Sequence, residues 1–157
     1  MKEPIALKQQ NLPLLAEKIA CPSHDRSKIT AGIVHVGVGG FHRSHQAYCT
    51  NALMNETDAS DWGICGVGLC EADRNMREML KAQDYLYTLI VRHPRGAVET
   101  CVIGSLCDFL LGRYDPNAVK LSRSHKASPS LANLVALATT PAPSSIKWRV
   151  GTLRSFR

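Results

Sequence analysis

Apolar and polar positions along the chain follow two rhythms that alternate. Ile33 to Val38 is a short apolar run. Trp62 to Leu69 is a second one, apolar on both faces as a strand buried in a parallel sheet should be. Between them the spacing predicts a helix over 44–55, with Ala47, Ala52 and Leu53 toward the sheet and Tyr48 and Met54 alongside. The polar stretch Thr57–Asp61 ends it. The clearest helical period runs from Glu71 to Gln83. Ala72, Met76, Met79 and Leu80 fall at i, i+4, i+7 and i+8 and form one apolar stripe. On the other face Asp73–Arg77 and Arg74–Glu78 are spaced for ion pairs. Strand, helix, strand, helix in this order predicts a parallel sheet with right-handed crossovers, an α/β fold.

The rhythm then changes to alternation. Tyr85–Arg92 and Ala97–Gly104 are rich in β-formers and flank His93-Pro94-Arg95-Gly96, which predicts an antiparallel hairpin. Leu106–Leu111 fits a short helical piece or a short strand, and 112–116 reads as loop. Ahead of the first strand, Asn11–Lys18 suits a short helix with Pro13 in its first turn. Residues 21–30 read as loop. The chain divides into an extension at 1–30, an α/β-patterned part at 31–118 and a basic Ser-, Ala- and Pro-rich tail at 119–157.

Chemistry concentrates where the first strand meets its helix. Gly37, Gly39 and Gly40 follow the strand, and the helix is predicted to start near Arg43 or Ser44. Glycines let the backbone turn sharply and let an anion approach. The unpaired N–H groups and positive dipole end of the helix then hold it, as in pyrophosphate binding. Gly37-x-Gly39 meets the fingerprint, but His42 stands where the third glycine would be. A tight turn that packs only on itself is the other reading. Phe41 would close the turn against the nucleotide or the sheet. Arg43 has the bidentate guanidinium suited to a pyrophosphate. His42-x-x-His45 has a metal-ligand spacing, but no third ligand follows it, so no metal is assigned.

Charge and cysteine content narrow the classes. The net charge of +6 sits wholly in the tail. Residues 1–115 hold 12 Lys/Arg against 13 Asp/Glu, whereas 116–157 hold seven basic residues and no acid. No basic stripe interleaved with aromatics is present, so no nucleic-acid partner is expected. No apolar run approaches the ~20 residues that span a bilayer, and the first residues do not read as a signal peptide. Six cysteines without a C-x-x-C pair are expected as scattered thiols in a reducing, cytoplasmic setting.

The string Gly37-Val-Gly-Gly-Phe-His-Arg-Ser-His-Gln-Ala-Tyr48 resembles the signature of the mannitol 2-dehydrogenase family, the polyol-specific long-chain dehydrogenases. The resemblance continues through Asp61–Leu69, Gln83–Tyr87, Val102–Ser105 and Asp108–Leu111. It covers about residues 10 to 119. It implies a Rossmann-type parallel sheet, with the antiparallel hairpin as a family insert. It also implies NAD as cofactor and oxidation of a polyol such as D-mannitol to a ketose such as fructose. An arabinitol or a hexuronate substrate stays open.

An acid just after the second strand contacts the adenosine ribose and repels a 2′-phosphate. Asp73 is the closer match to the family and Glu71 is offset, while Arg74 leaves NADP open. The family's lysine general base, with its asparagine and histidine, belongs to a large helical second domain. No counterpart is found in this sequence, so no catalytic residue is named. The family pattern also places a helix and a buried strand after residue 119, leading to a Thr-x-Thr-Glu-Gly-Gly-Tyr-like turn. The basic Ser/Ala/Pro-rich tail has no such string. A shifted reading frame near Val119–Ser122 would account for it, as would a basic disordered tail. The downstream DNA read in the other two frames decides between them.

Overall fold

The computed structural model describes residues 4–94, 96–114 and 117. The tail and its proposed frame change lie outside the described residues. In order, the elements are helix α1 (Leu12–Ala16), strand β1 (Ala31–Val36), helices α2 (Gly40–Ser44) and α3 (Gln46–Glu56), strand β2 (Gly63–Gly68), helix α4 (Ala72–Ala82) and strands β3 (Tyr87–Arg92), β4 (Val98–Ile103) and β5 (Leu106–Leu111). A 3-10 turn at Gln9–Asn11 leads into α1, which is the expected short helix with Pro13 in its first turn.

β1, β2 and β5 form a parallel sheet in the order β1-β2-β5. Val34 lies opposite Cys65 and His35 opposite Gly66. On the other side Gly66 lies opposite Phe109. β3 and β4 form the expected antiparallel hairpin, with Tyr87 opposite Ile103 and Arg92 opposite Val98. Its turn closes through the Gly96 N–H to the His93 carbonyl at 3.0 Å, with Gly96 at φ +87°. The ambiguous Leu106–Leu111 run is therefore a strand, because β2 offers it a complete hydrogen-bonding edge.

One core joins the two sheets. Ile33, Ile64, Leu106 and Phe109 come from the parallel sheet, and Tyr87, Leu89 and Ile103 from the hairpin. The glycines of β2 make this packing close. A Cβ on Gly66 would meet Val38 Cγ2 at 2.4 Å and Phe109 Cδ2 at 3.3 Å, and one on Gly68 would meet Asp73 Cβ at 2.4 Å. These glycines admit neighbouring side chains.

Two predicted helix faces differ from those observed. In α3 the buried residues are Ala47, Thr50, Asn51 and Met54, while Tyr48 and Leu53 are exposed. Asn51 Oδ1 accepts from the Gly104 N–H at 2.8 Å, and Ser105 Oγ donates to the Ala47 carbonyl at 2.7 Å. Polar groups thus tie α3 to the β4–β5 corner. In α4 only Leu80 is buried, with Met76 partly so and Met79 exposed. The predicted i,i+4 pairs are replaced by Arg74–Glu71 and Arg77–Glu78, each at 2.9 Å. Arg77 also donates through Nε to the Phe109 carbonyl at 3.0 Å, and this draws it toward the sheet.

Candidate dinucleotide-binding site

The turn after β1 is built from one strained glycine and one open one. Gly37 sits at φ +87°, a region that costs an L side chain roughly 1–2 kcal/mol. Its N–H donates to the Val67 carbonyl at 2.8 Å, so the turn starts from the sheet. Gly39 is at φ −75° and precedes α2. A Cβ on Gly37 or on Gly39 would meet nothing within 4 Å. The space above both is therefore open.

α2 begins at Gly40, not near Arg43 or Ser44. The two final glycines act as helix start and cap rather than loop. The Arg43 N–H reaches the Gly39 carbonyl at 3.1 Å, leaving the N–H groups of the first turn without intrahelical acceptors. The helix breaks at His45 and resumes as α3.

Phe41 is 61% exposed and stacks on the His45 ring at 4.3 Å. Arg43 turns inward. Its Nη1 lies 3.1 Å from Met76 Sδ on α4, and its carbonyl accepts from the Tyr87 hydroxyl at 2.5 Å. Its buried Nε has no partner among the described residues, and desolvation lowers its pKa. Asp73 anchors the loop after β2: Oδ2 accepts from the N–H groups of Leu69 and Cys70 at 2.8 and 2.9 Å. Glu71 pairs with Arg74 and accepts from the Tyr114 hydroxyl, and the Arg74 guanidinium lies 4.7 Å from the Tyr114 ring centre. The turn residues and the two acids thus lie at the β1 and β2 ends of one sheet.

Sequence reasoning missed the group beneath the turn. His42 is 3% exposed and stacks on His35 of β1, ring centres 3.7 Å apart. Neither His42 ring nitrogen has a hydrogen-bond partner among the described residues. Burial pushes its pKa down to about 3, with the His35 and Arg43 charges adding to the effect. Burial lowers His35 too, opposed by hydrogen bonds involving the Gly37 backbone and the Gln46 side chain. The third-glycine position is thus filled by an imidazole packed on the strand. Its seven-residue separation from His35 falls across a strand, a turn and a helix, so no local pattern signals the contact.

Burial holds the His42 ring neutral in the fold, while an unfolded histidine takes up a proton near pH 6.5. Stability is therefore full above that pH. For His42 it falls by about 1.4 kcal/mol per pH unit below it, until the pH nears 3. Melting curves from pH 7.5 to 5 are expected to show the decline, with a shallower slope in His42→Gln. An unchanged slope in that variant would remove His42 as the cause.

A parallel β-α-β sheet whose first strand ends in an open glycine turn at a helix start defines a Rossmann-type domain. Residues 31–140 match the family model of the mannitol dehydrogenase Rossmann domain. The chain belongs to the mannitol dehydrogenase family. It is 45% identical over 109 residues to mannitol 2-dehydrogenase of Pyricularia oryzae, covering 69% of this chain and 22% of the relative. A mannitol dehydrogenase of Saccharomyces cerevisiae is 42% identical over 116 residues, with 73% and 22% covered. Among solved structures, Pseudomonas fluorescens mannitol 2-dehydrogenase, in a ternary complex with NAD and D-mannitol, aligns with TM-score 0.69 and 46% identity. That alignment covers 73% of this chain and 23% of the other. A D-sorbitol dehydrogenase in substrate-free form also gives TM-score 0.69, at 37% identity, covering 75% of this chain and 24% of its own. The chain thus spans about a fifth to a quarter of the length of these relatives. Among the described residues, no helix is long and apolar enough to cross a membrane, and no group of three or more His, Cys, Asp or Glu is placed to hold a metal ion.

Proposed function

We propose that this chain is the dinucleotide-holding part of an NAD-dependent polyol dehydrogenase. The whole enzyme would oxidise a secondary alcohol of a polyol such as D-mannitol to a ketose such as D-fructose. The observation that carries the reading is the open turn at Gly37 and Gly39 before α2, in a chain 46% identical to an enzyme solved with NAD and D-mannitol. The substrate is stated as a class because the two solved neighbours are named for different polyols.

The residues fit the cofactor. N–H groups of Gly39, Gly40 and Phe41 are the donors proposed for the pyrophosphate, with Gly37 supplying the turn. Phe41, exposed above the helix start, would cover the bound nucleotide. Arg43 stays in the set because its desolvated guanidinium gains from a nearby anion. Asp73 holds the loop after β2 in shape, and with Glu71 it keeps negative charge where a 2′-phosphate would lie. When bound, the nicotinamide supplies the acceptor for hydride. For these 157 residues alone, the proposal is cofactor binding without turnover, in a cytoplasmic setting.

Titration of the chain with NADH, followed by nicotinamide fluorescence, is expected to saturate at one site, and NADPH is expected to bind more weakly. A cooperatively melting chain that gives no saturable signal with either would sink the reading.

A further inference from the structure

A cluster of charged and aromatic side chains forms where β2 and β5 end side by side. The two strands run parallel, and the Gly112 N–H donates to the Gly68 carbonyl at 2.8 Å. The chain leaving β5 therefore emerges beside the loop that leads into α4. The Tyr114 N–H turns back to the Leu111 carbonyl at 3.0 Å, and this fixes the turn that carries its side chain. The Tyr114 hydroxyl donates to Glu71 Oε2. Arg74 Nε donates to the other carboxylate oxygen, Oε1, at 2.9 Å, and its guanidinium carbon lies 4.7 Å from the centre of the Tyr114 ring. Glu71, Arg74 and Tyr114 thus form a closed triangle with a contact along each side.

The triangle stands where such folds choose between dinucleotides. An acid after the second strand meets the adenosine ribose, while an arginine there accommodates a 2′-phosphate. This chain carries both kinds of group. Glu71 and Asp73 are matched by Arg74 and Arg113, so net charge does not choose between the two cofactors. The arrangement does. Asp73 Oδ2 is taken by the N–H groups of Leu69 and Cys70, whereas Glu71 engages the Arg74 cation. The Tyr114 hydroxyl, followed by the charges of Arg74 and Arg113, holds the Glu71 carboxyl below its ordinary pKa, so it is ionised at neutral pH and can keep the arginine. Tyr114 also holds Arg74 through its ring face, which attracts a guanidinium. Otherwise the planar fork of that guanidinium is suited to take a phosphate through two hydrogen bonds.

We propose that Tyr114 is a positioning residue for cofactor choice: it holds Arg74 on Glu71, away from a 2′-phosphate, and so favours the dinucleotide whose adenosine ribose carries a free 2′-hydroxyl. This depends on the glycine turn holding the dinucleotide. NADPH has to draw Arg74 out of its pair before the phosphate gains a contact, whereas NADH needs no such step. The cost therefore falls on one cofactor only. Exposed contacts of this kind are individually weak, so the ring and the hydroxyl together are expected to change selectivity about tenfold.

Nicotinamide fluorescence titrations of the full chain with NADH and with NADPH, at one fixed salt concentration, test this. Tyr114→Leu removes both the ring and the hydroxyl. It is expected to bind NADPH about tenfold more tightly than the parent does, and NADH within about twofold of the parent. Tyr114 is 52% exposed, so the variant should melt as the parent does. Tyr114→Phe, which deletes only the hydroxyl, should move the NADPH-to-NADH ratio the same way by less. Adding Arg74→Ala to Tyr114→Leu should abolish the gain, because the freed guanidinium is the group that the phosphate meets. A shift shared equally by both nucleotides would mark a role in folding alone and overturn the proposal. So would unchanged NADPH affinity in both Tyr114 variants of a chain that binds NADH, or a gain that survives without Arg74; each leaves the cofactor site standing. A parent chain with no saturable NADH signal would overturn the site and the proposal together.

Discussion

Gly39→Val is expected to leave the melting midpoint within a degree or two of the parent and to weaken NADH binding at least tenfold. The two effects separate because of where Gly39 stands. Its φ of −75° suits any residue, and an added Cβ meets nothing within 4 Å. The fold therefore has no need of glycine there. A bound pyrophosphate would need it, because the valine methyls would occupy the space through which the phosphate reaches the N–H groups of the first turn. Tenfold is about 1.4 kcal/mol, the scale of one lost charge-assisted hydrogen bond. Gly37 would not give so clean a result. At φ +87° a valine there strains the backbone, so a fall in binding could not be told from a fall in stability. NADH titration beside a thermal melt of the Gly39 variant decides the matter. Unchanged affinity in a folded variant would place the cofactor elsewhere.

Phe109→Ala is expected to cost about 3–5 kcal/mol, enough to unfold a domain of ordinary stability near physiological temperature. Phe109 is fully buried at the centre of β5. Its ring lies within 3.3 Å of the Cβ position of Gly66 and 3.0 Å of that of Gly68. Those two β2 positions have no side chain of their own to fill the gap. Truncation therefore leaves a cavity bordered on one side by the β2 backbone, which cannot collapse as a flexible side chain can. Urea unfolding monitored by far-UV circular dichroism gives the number. A loss under 1 kcal/mol would contradict the packing of β5 against β2.

How much of this was legible in the sequence depended on how local its cause is. β1, β2 and α4 were read because their apolar positions carry the period of the element. The hairpin was read because a Pro- and Gly-containing turn separates two alternating runs. The start of α2 lies three or four residues before the expected one, since glycines signal a turn equally well when they cap a helix. Leu106–Leu111 could not be assigned locally: its six residues fit either element until β2 supplies a partner. In α3 Leu53 is expected toward the sheet with Tyr48 alongside, yet both are exposed. There, Asn51 and Thr50 are buried by hydrogen bonding and packing that no hydrophobic period records. The site divides the same way. The glycines were visible as a string, whereas the inward turn of Arg43 and the His35–His42 stack arise only when strand and helix meet.

The strand order has one further meaning. Among the described residues β1 pairs on one side only, with β2. Its other margin is a row of amide and carbonyl groups along Ala31-Gly-Ile-Val-His-Val36, a stretch with no proline and no lysine, arginine or carboxylate. Natural sheets blunt such margins with those residues or cover them. This margin carries none of those residues, which is how a strand is written when it is meant to lie inside a sheet. The crevice of a doubly wound fold opens where strands diverge to either side of the first one. β1 is therefore the hinge line of the architecture: the glycine turn proposed for the cofactor rises from its end, and β2 and β5 lie to one side of it.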